Sequence, residues 1–142
     1  MLSRKDIISK AREFLGVPYK HQGRTRQGCD CGGLIITVMK ELGYEIKDMH
    51  GYSKTPDGYT LQKLAREEAI PISINEIVPG DFVIIRFRQN PQHVALVTDH
   101  PSGGLGLLHS YESVGKVVEH RLDSKWCKRI VSAYRFKGVV DG

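Results

Sequence analysis

The sequence predicts an α+β fold in which N-terminal helices pack on a five-stranded antiparallel sheet. Three observations carry that prediction. Apolar residues recur at helical spacing through the first half of the chain and in short β-rich runs after Pro79-Gly80-Asp81. The segments between those runs (RQNPQ, HPSGG, ESVG) are turn-forming and too short for crossover helices, so consecutive runs pair antiparallel. No repeat, low-complexity tract or linker divides the 142 residues, which read as a single domain, 1–142.

The elements follow in order. Ser3 with Asp6 reads as a capping box. Ile7, Ile8, Ala11, Phe14 and Leu15 then share a helical face until Gly16 and Pro18 stop the run. A second helix begins near Cys31, with Leu34, Ile35, Val38, Met39 and Leu42 as its apolar face and Gly43 as its end. A third, shorter helix is expected over 60–69, with Leu61, Leu64 and Ala65 inward and Pro71 beyond it. Five strands are expected at FVIIRF (82–87), HVALVTD (93–99), GLLHSY (106–111), KVVEHRL (116–122) and IVSAYRF (130–136). DSKWCKR, between the last two, reads as a helical turn.

Hydrophobic residues make up 40% and charged residues 26%, and no apolar run is long enough to span a bilayer, which argues against membrane insertion. The opening MLSRKDIISKAREF is charged and amphipathic, unlike a signal peptide, so synthesis in the cytoplasm is expected. The net charge of +5 is spread over the chain. Its densest basic group, Lys125, Lys128 and Arg129, is too short for a nucleic-acid patch, and no nucleic-acid partner is expected. Three cysteines, an odd number, do not form a secreted disulfide framework.

The stretch GCDCGGL (28–34) admits three chemistries. Structural zinc needs four ligands in paired clusters, and Cys29 with Cys31 has no second pair nearby. A Cys29–Cys31 disulfide closes a very small, poorly shaped ring. The third reading, a nucleophile, fits best. Cys31 falls where a loop becomes a helix, and unpaired N–H groups there favour a thiolate. Gly32 and Gly33 leave the first turn open to a substrate carbonyl, and the Cys31 N–H can serve an oxyanion.

A thiol nucleophile needs a base and an orienting group. Of the six histidines, His21, His50 and His100 stand in polar loops, and His120, in the charged run EHR, is expected to point to solvent. His93 opens the apolar run VALV at the mouth of a buried strand. His109, two residues from Leu107, shares that residue's face on the next strand, where adjacent antiparallel strands bring the rings together.

These residues resemble the NlpC-type papain-like cysteine peptidases, which cleave bacterial cell-wall peptides. Asp30-Cys31-Gly32-Gly33-Leu34 is similar to the family's nucleophile motif, with Gly32 in place of the usual serine. FLGVPYKHQG (14–23), VPGDFVIIRF (78–87), HVALVTD (93–99) and LLHSYE (107–112) resemble further family stretches in family order. HQGRTRQGCDC, YSKTPDG, PQHVALVTD and VVEHRLDSKW resemble the phage-type branch, whose members are encoded in phage tail modules.

The resemblance implies a cofactor-free cysteine endopeptidase acting on peptidoglycan stem peptides at the γ-D-glutamyl–diamino acid bond. It implies Cys31 as nucleophile, His93 as general base, His109 as the group orienting His93, Tyr19 near the oxyanion and Asp30 at the substrate's amino end. It also implies phage tail proteins as partners and delivery to the wall by the virion tail or by lysis. The rival readings are an amidase or acyltransferase on the same fold, and a non-catalytic tail-assembly component.

Overall fold

A computed structural model describes residues 2–48, 60–87 and 91–141. The chain runs α1 (Arg4–Arg12), β1 (Arg24–Thr25), β2 (Gly28–Cys29), α2 (Cys31–Glu41), α3 (Thr60–Glu68), β3 (Ala69–Ile72), β4 (Phe82–Arg86), β5 (Pro91–Asp99), β6 (Leu105–Tyr111), β7 (Lys116–Arg121), α4 (Ser124–Cys127) and β8 (Ile130–Phe136). No helix among the described residues is long and apolar enough to cross a membrane.

The helices begin and end for local reasons. Ser3 and Asp6 form the expected capping box of α1. That helix stops earlier than its periodicity implies: Phe14 is fully buried in the turn that follows, whereas Leu15 is exposed. At the far end of α2 the Tyr44 N–H reaches the Met39 carbonyl and the Gly43 N–H reaches that of Lys40, with Gly43 at φ +76°. This is a Schellman ending that only a residue tolerant of positive φ closes without strain.

The sheet is antiparallel throughout and has six strands in the order β3-β8-β4-β5-β6-β7. The sixth strand corrects the expected five. AIPI (69–72) reads as a helix ending because of its proline, but it pairs with β8 as an edge strand, where a proline removes no interior ladder bond. A second, two-stranded sheet of β1 and β2 was also not expected.

Both faces of the large sheet are covered, which is why its central strands read as unbroken apolar runs. Phe82, Ile84, Val94, Leu96 and Leu108 pack against Ile7, Phe14, Leu34, Val38 and Met39 of the helical layer. The alternate residues Val83, Ile85, Ala95, Val97 and Leu107 face the other way, under Phe87, Leu122 and Trp126.

Two long-range ties hold the layers together. Asp81 is fully buried; its carboxylate takes Arg4 at 2.8 Å, Arg135 through two bonds of 3.0 Å, and the Val78 N–H. It thereby joins α1, the Pro79-Gly80 turn and β8. Separately, the segment after α1 lies along the start of β7. Gly16 N–H bonds Val117 O, Val117 N–H bonds Val17 O, and Tyr19 N–H bonds Gly115 O at 2.9–3.0 Å.

Candidate active site

Asp30 starts α2 by capping it, with Oδ1 accepting the Gly33 N–H at 2.7 Å, so Cys31 is the first helical residue, as its sequence context predicts. The same carboxylate takes the Gln22 N–H at 2.8 Å and the Arg24 guanidinium at 3.0 Å, and Arg24 is itself paired with Asp48. The two glycines differ. A β-carbon at Gly33 would sit 2.0 Å from the Gly23 carbonyl oxygen, so the β1–β2 hairpin docks on α2 only over a glycine. Gly32 meets nothing closer than Asp30 Oδ1 at 3.9 Å and is the open side of the first turn.

Cys31 is partly exposed, and the backbone N–H groups of Val94 and Gly32 act on its thiol to favour the charged form. Val94 follows His93 directly, which fixes the start of β5 against the head of α2. No hydrogen bond joins the sulfur to the His93 ring among the described contacts. Burial, and then the Asp30 carboxylate, push the Cys31 thiol up to about 12, against the pull of the two N–H groups and Arg24. Loss of solvent thus opposes the thiolate that the helix terminus favours.

His93 and His109 meet as the sequence implies. The parity that turns Ala95 and Val97 to the second face of the sheet also turns His93 there, and Leu107 brings His109 with it. His93 Nε2 lies 2.5 Å from His109 Nδ1. Burial holds both rings neutral by pushing their pKa values well below the ordinary histidine range.

His120 does not point to solvent alone. It is partly exposed, and its Nε2 lies 2.8 Å from His109 Nε2. The signal was present in the sequence: His120 shares its parity with Val118 and Leu122, and Leu122 packs on the second face. Trp126 of α4 covers this row, 5.4 Å from the His109 ring centroid and 4.6 Å from that of His120. His21 and His100 are partly exposed, and His50 lies outside the described residues.

Tyr19 is drawn to the same place. Burial, followed by the nearby Cys31, Glu112 and Asp30, raises its pKa, so it stays a neutral donor. Glu112 had no assigned part in the sequence reading. Cys29 is fully buried in the helical-side core, and burial pushes its thiol up to about 11, the marks of a packing residue.

Two buried neutral histidines make stability pH-dependent. Below about pH 6.5 the unfolded chain binds protons that folded His93 and His109 refuse, so stability is full above that pH and falls as pH drops. The expected loss approaches about 1.4 kcal/mol per pH unit for each ring. Urea midpoints measured from pH 7 to 4.5 test this, with a flat profile over that range as the contrary result.

The family model described as "NlpC/P60 family" matches residues 16–135. The chain belongs to the NlpC/P60 family. Among curated NlpC/P60 relatives, it is 28% identical over 119 residues to the gamma-D-glutamyl-L-lysine dipeptidyl-peptidase of Bacillus subtilis, covering 81% of this chain and 34% of that protein. It is 23% identical over 129 residues to the murein DD-endopeptidase MepS/murein LD-carboxypeptidase of Escherichia coli, covering 91% of this chain and 61% of that one. The chain thus spans about a third to three-fifths of the length of these relatives. A solved NlpC/P60 family protein from Bacillus cereus shares the fold, with a TM-score of 0.72 at 22% identity over 94% of this chain and 40% of that one.

Proposed function

We propose that this NlpC/P60 chain is a cysteine endopeptidase of peptidoglycan stem peptides that cleaves the γ-D-glutamyl–diamino acid bond. The observation that carries the reading is the His93–His109 pair, buried together at the start of β5, the strand that packs on the helix headed by Cys31. Names of relatives from Bacillus subtilis and Escherichia coli, a gamma-D-glutamyl-L-lysine dipeptidyl-peptidase and a murein endopeptidase, support the substrate class.

In this mechanism Cys31 rests as a thiol and His93 as a neutral imidazole. As Cys31 attacks the carbonyl carbon, its proton passes to His93, which later delivers it to the leaving amine; water then hydrolyses the thioester. His109 orients His93. The Cys31 N–H and the Tyr19 hydroxyl stabilise the oxyanion. Asp30 faces the amino end of the substrate, but its carboxylate is already bound by Arg24, which favours substrates that bring no free amine to it.

Phage association is part of the proposal: the phage-type stretches support it, and delivery by a virion tail or by lysis brings the enzyme to the wall. Mass spectrometry of purified sacculi digested by the protein tests the function. Fragments beginning at the diamino acid are expected. An absence of soluble peptides, together with binding to phage tail proteins, would replace the enzyme with a docking component.

A further inference from the structure

The three histidine rings are ordered by a main-chain carbonyl. His120 Nδ1 lies 3.0 Å from Arg121 O, which only accepts, so neutral His120 carries its proton on Nδ1. Its Nε2 is then a lone pair, and His109 donates to it from Nε2. His109 Nδ1 is left as a lone pair, and His93 donates to it from Nε2. The nitrogen this order leaves bare is His93 Nδ1, a lone pair, as a base requires. The rings come from three adjacent strands, with Leu107 opposite His120 and Val118 opposite His109, so His109 and His120 are diagonal neighbours on one face.

We propose that His120 is a positioning residue of the base: it sets the tautomers of His109 and His93, and it receives the positive charge when His93 takes the Cys31 proton. The inference rests on His93 being the base. The S–H bond of Cys31 breaks and an N–H bond forms at His93 Nδ1. The proton on His93 Nε2 passes to His109 Nδ1, and the proton on His109 Nε2 passes to His120 Nε2. One negative charge stands on Cys31 and one positive charge on His120, while His93 and His109 are again neutral with their tautomers inverted. As His93 Nδ1 gives that proton to the leaving amine, the reverse transfers return a proton from His120 to His109 Nε2 and from His109 Nδ1 to His93 Nε2, which restores the resting tautomers.

The charge has reason to move. His93 and His109 are 5% and 0% exposed, a poor setting for an imidazolium, whereas His120 is partly exposed. The Trp126 ring lies 4.6 Å from it, and its Nδ1–H rests on a carbonyl. Arg121, next in the chain, and Arg129, 4.9 Å from the Trp126 ring, oppose the charge. Glu119 offers it nothing, being turned to Arg12 and Thr98. A proton taken from solvent at His93 Nδ1 inverts the row in the same way and leaves no base, so the acid limb of activity belongs to the His120 end of the row.

Imidazole NMR on the folded wild-type protein with isotope-labelled histidines tests this without turnover. Near neutral pH, protons are expected on Nε2 of His93 and His109 and on Nδ1 of His120. On acidification His120 is expected to become doubly protonated while His93 and His109 switch to Nδ1–H with the same midpoint. His120→Gln keeps an acceptor for His109 but takes no proton. It should keep the resting tautomers, lose the acid switch, lower kcat by about tenfold or more with KM little changed, and move the acid limb to lower pH. His120→Phe, with no acceptor, should lose the resting order as well. Wild-type kcat and acid limb in His120→Gln, or double protonation of His93 ahead of His120, would overturn the proposal. A tautomer switch without any wall-peptide cleavage leaves the row standing and removes the peptidase reading; cleavage without the switch does the opposite.

Discussion

Cys31→Ala is expected to abolish release of diamino-acid fragments from wall peptides, a fall on the order of 10⁴-fold or more, while the fold is kept. The fold should survive because alanine suits the first turn of a helix and the cap is made by Asp30, not by Cys31. His93→Ala should be nearly as severe. The double variant should be no worse than Cys31→Ala, because nucleophile and base act as one unit and their losses do not add. Product release by mass spectrometry, beside unchanged thermal unfolding, makes the comparison. Residual turnover above a few per cent in Cys31→Ala would assign the chemistry to another group.

Asp81→Ala should produce the largest loss of stability among the polar positions described. Asp81 has a fully buried side chain, while those of Arg4 and Arg135 are 12% and 31% exposed, so both cations are partly withdrawn from water around one anion. Removing the anion leaves the Val78 N–H without its acceptor and takes the shared carboxylate from both arginines, although Arg4 keeps Asp141 and the Pro79 carbonyl and Arg135 keeps the Glu76 carbonyl, so the cost is about 3 kcal/mol. Asp81→Asn should cost less, because it keeps an acceptor for Val78. Chemical denaturation of the three proteins provides the test, and a loss below about 1 kcal/mol for the alanine variant would show that the arginines find other partners or water.

What could be read in advance was whatever depends on one local rule. Ser3, Asp6 and Gly43 marked helix ends through capping geometry, and alternation along GLLHSY put His109 on the same face as Leu107. What depended on competing rules was missed. Pro71 reads as a helix stop and is also tolerated on an edge strand, so β3 was absent from the expected sheet. His120 sits among charges that suggest solvent, yet its parity points inward, and parity won. The helix terminus argues for a thiolate at Cys31, but burial, which depends on the tertiary packing around the helix head, acts against it. The Asp30–Arg24–Asp48 chain joins a loop, a hairpin and the approach to α3, and no spacing in the sequence announces it.

The contact of residues 16–19 with residues 115–117 bears on when the protein becomes chemically competent. During synthesis the thiol emerges early, but the strands that bring the histidines and anchor the Tyr19 backbone emerge late. Until β7 is in place, neither the Tyr19 segment nor the row of rings has its support. A nascent or truncated chain therefore carries Cys31 without the ring pair or the Tyr19 segment in place, and the site proposed above forms only with completion of the sheet. Long-range pairing of this kind forms slowly, which separates the moment of translation from the assembly of the site.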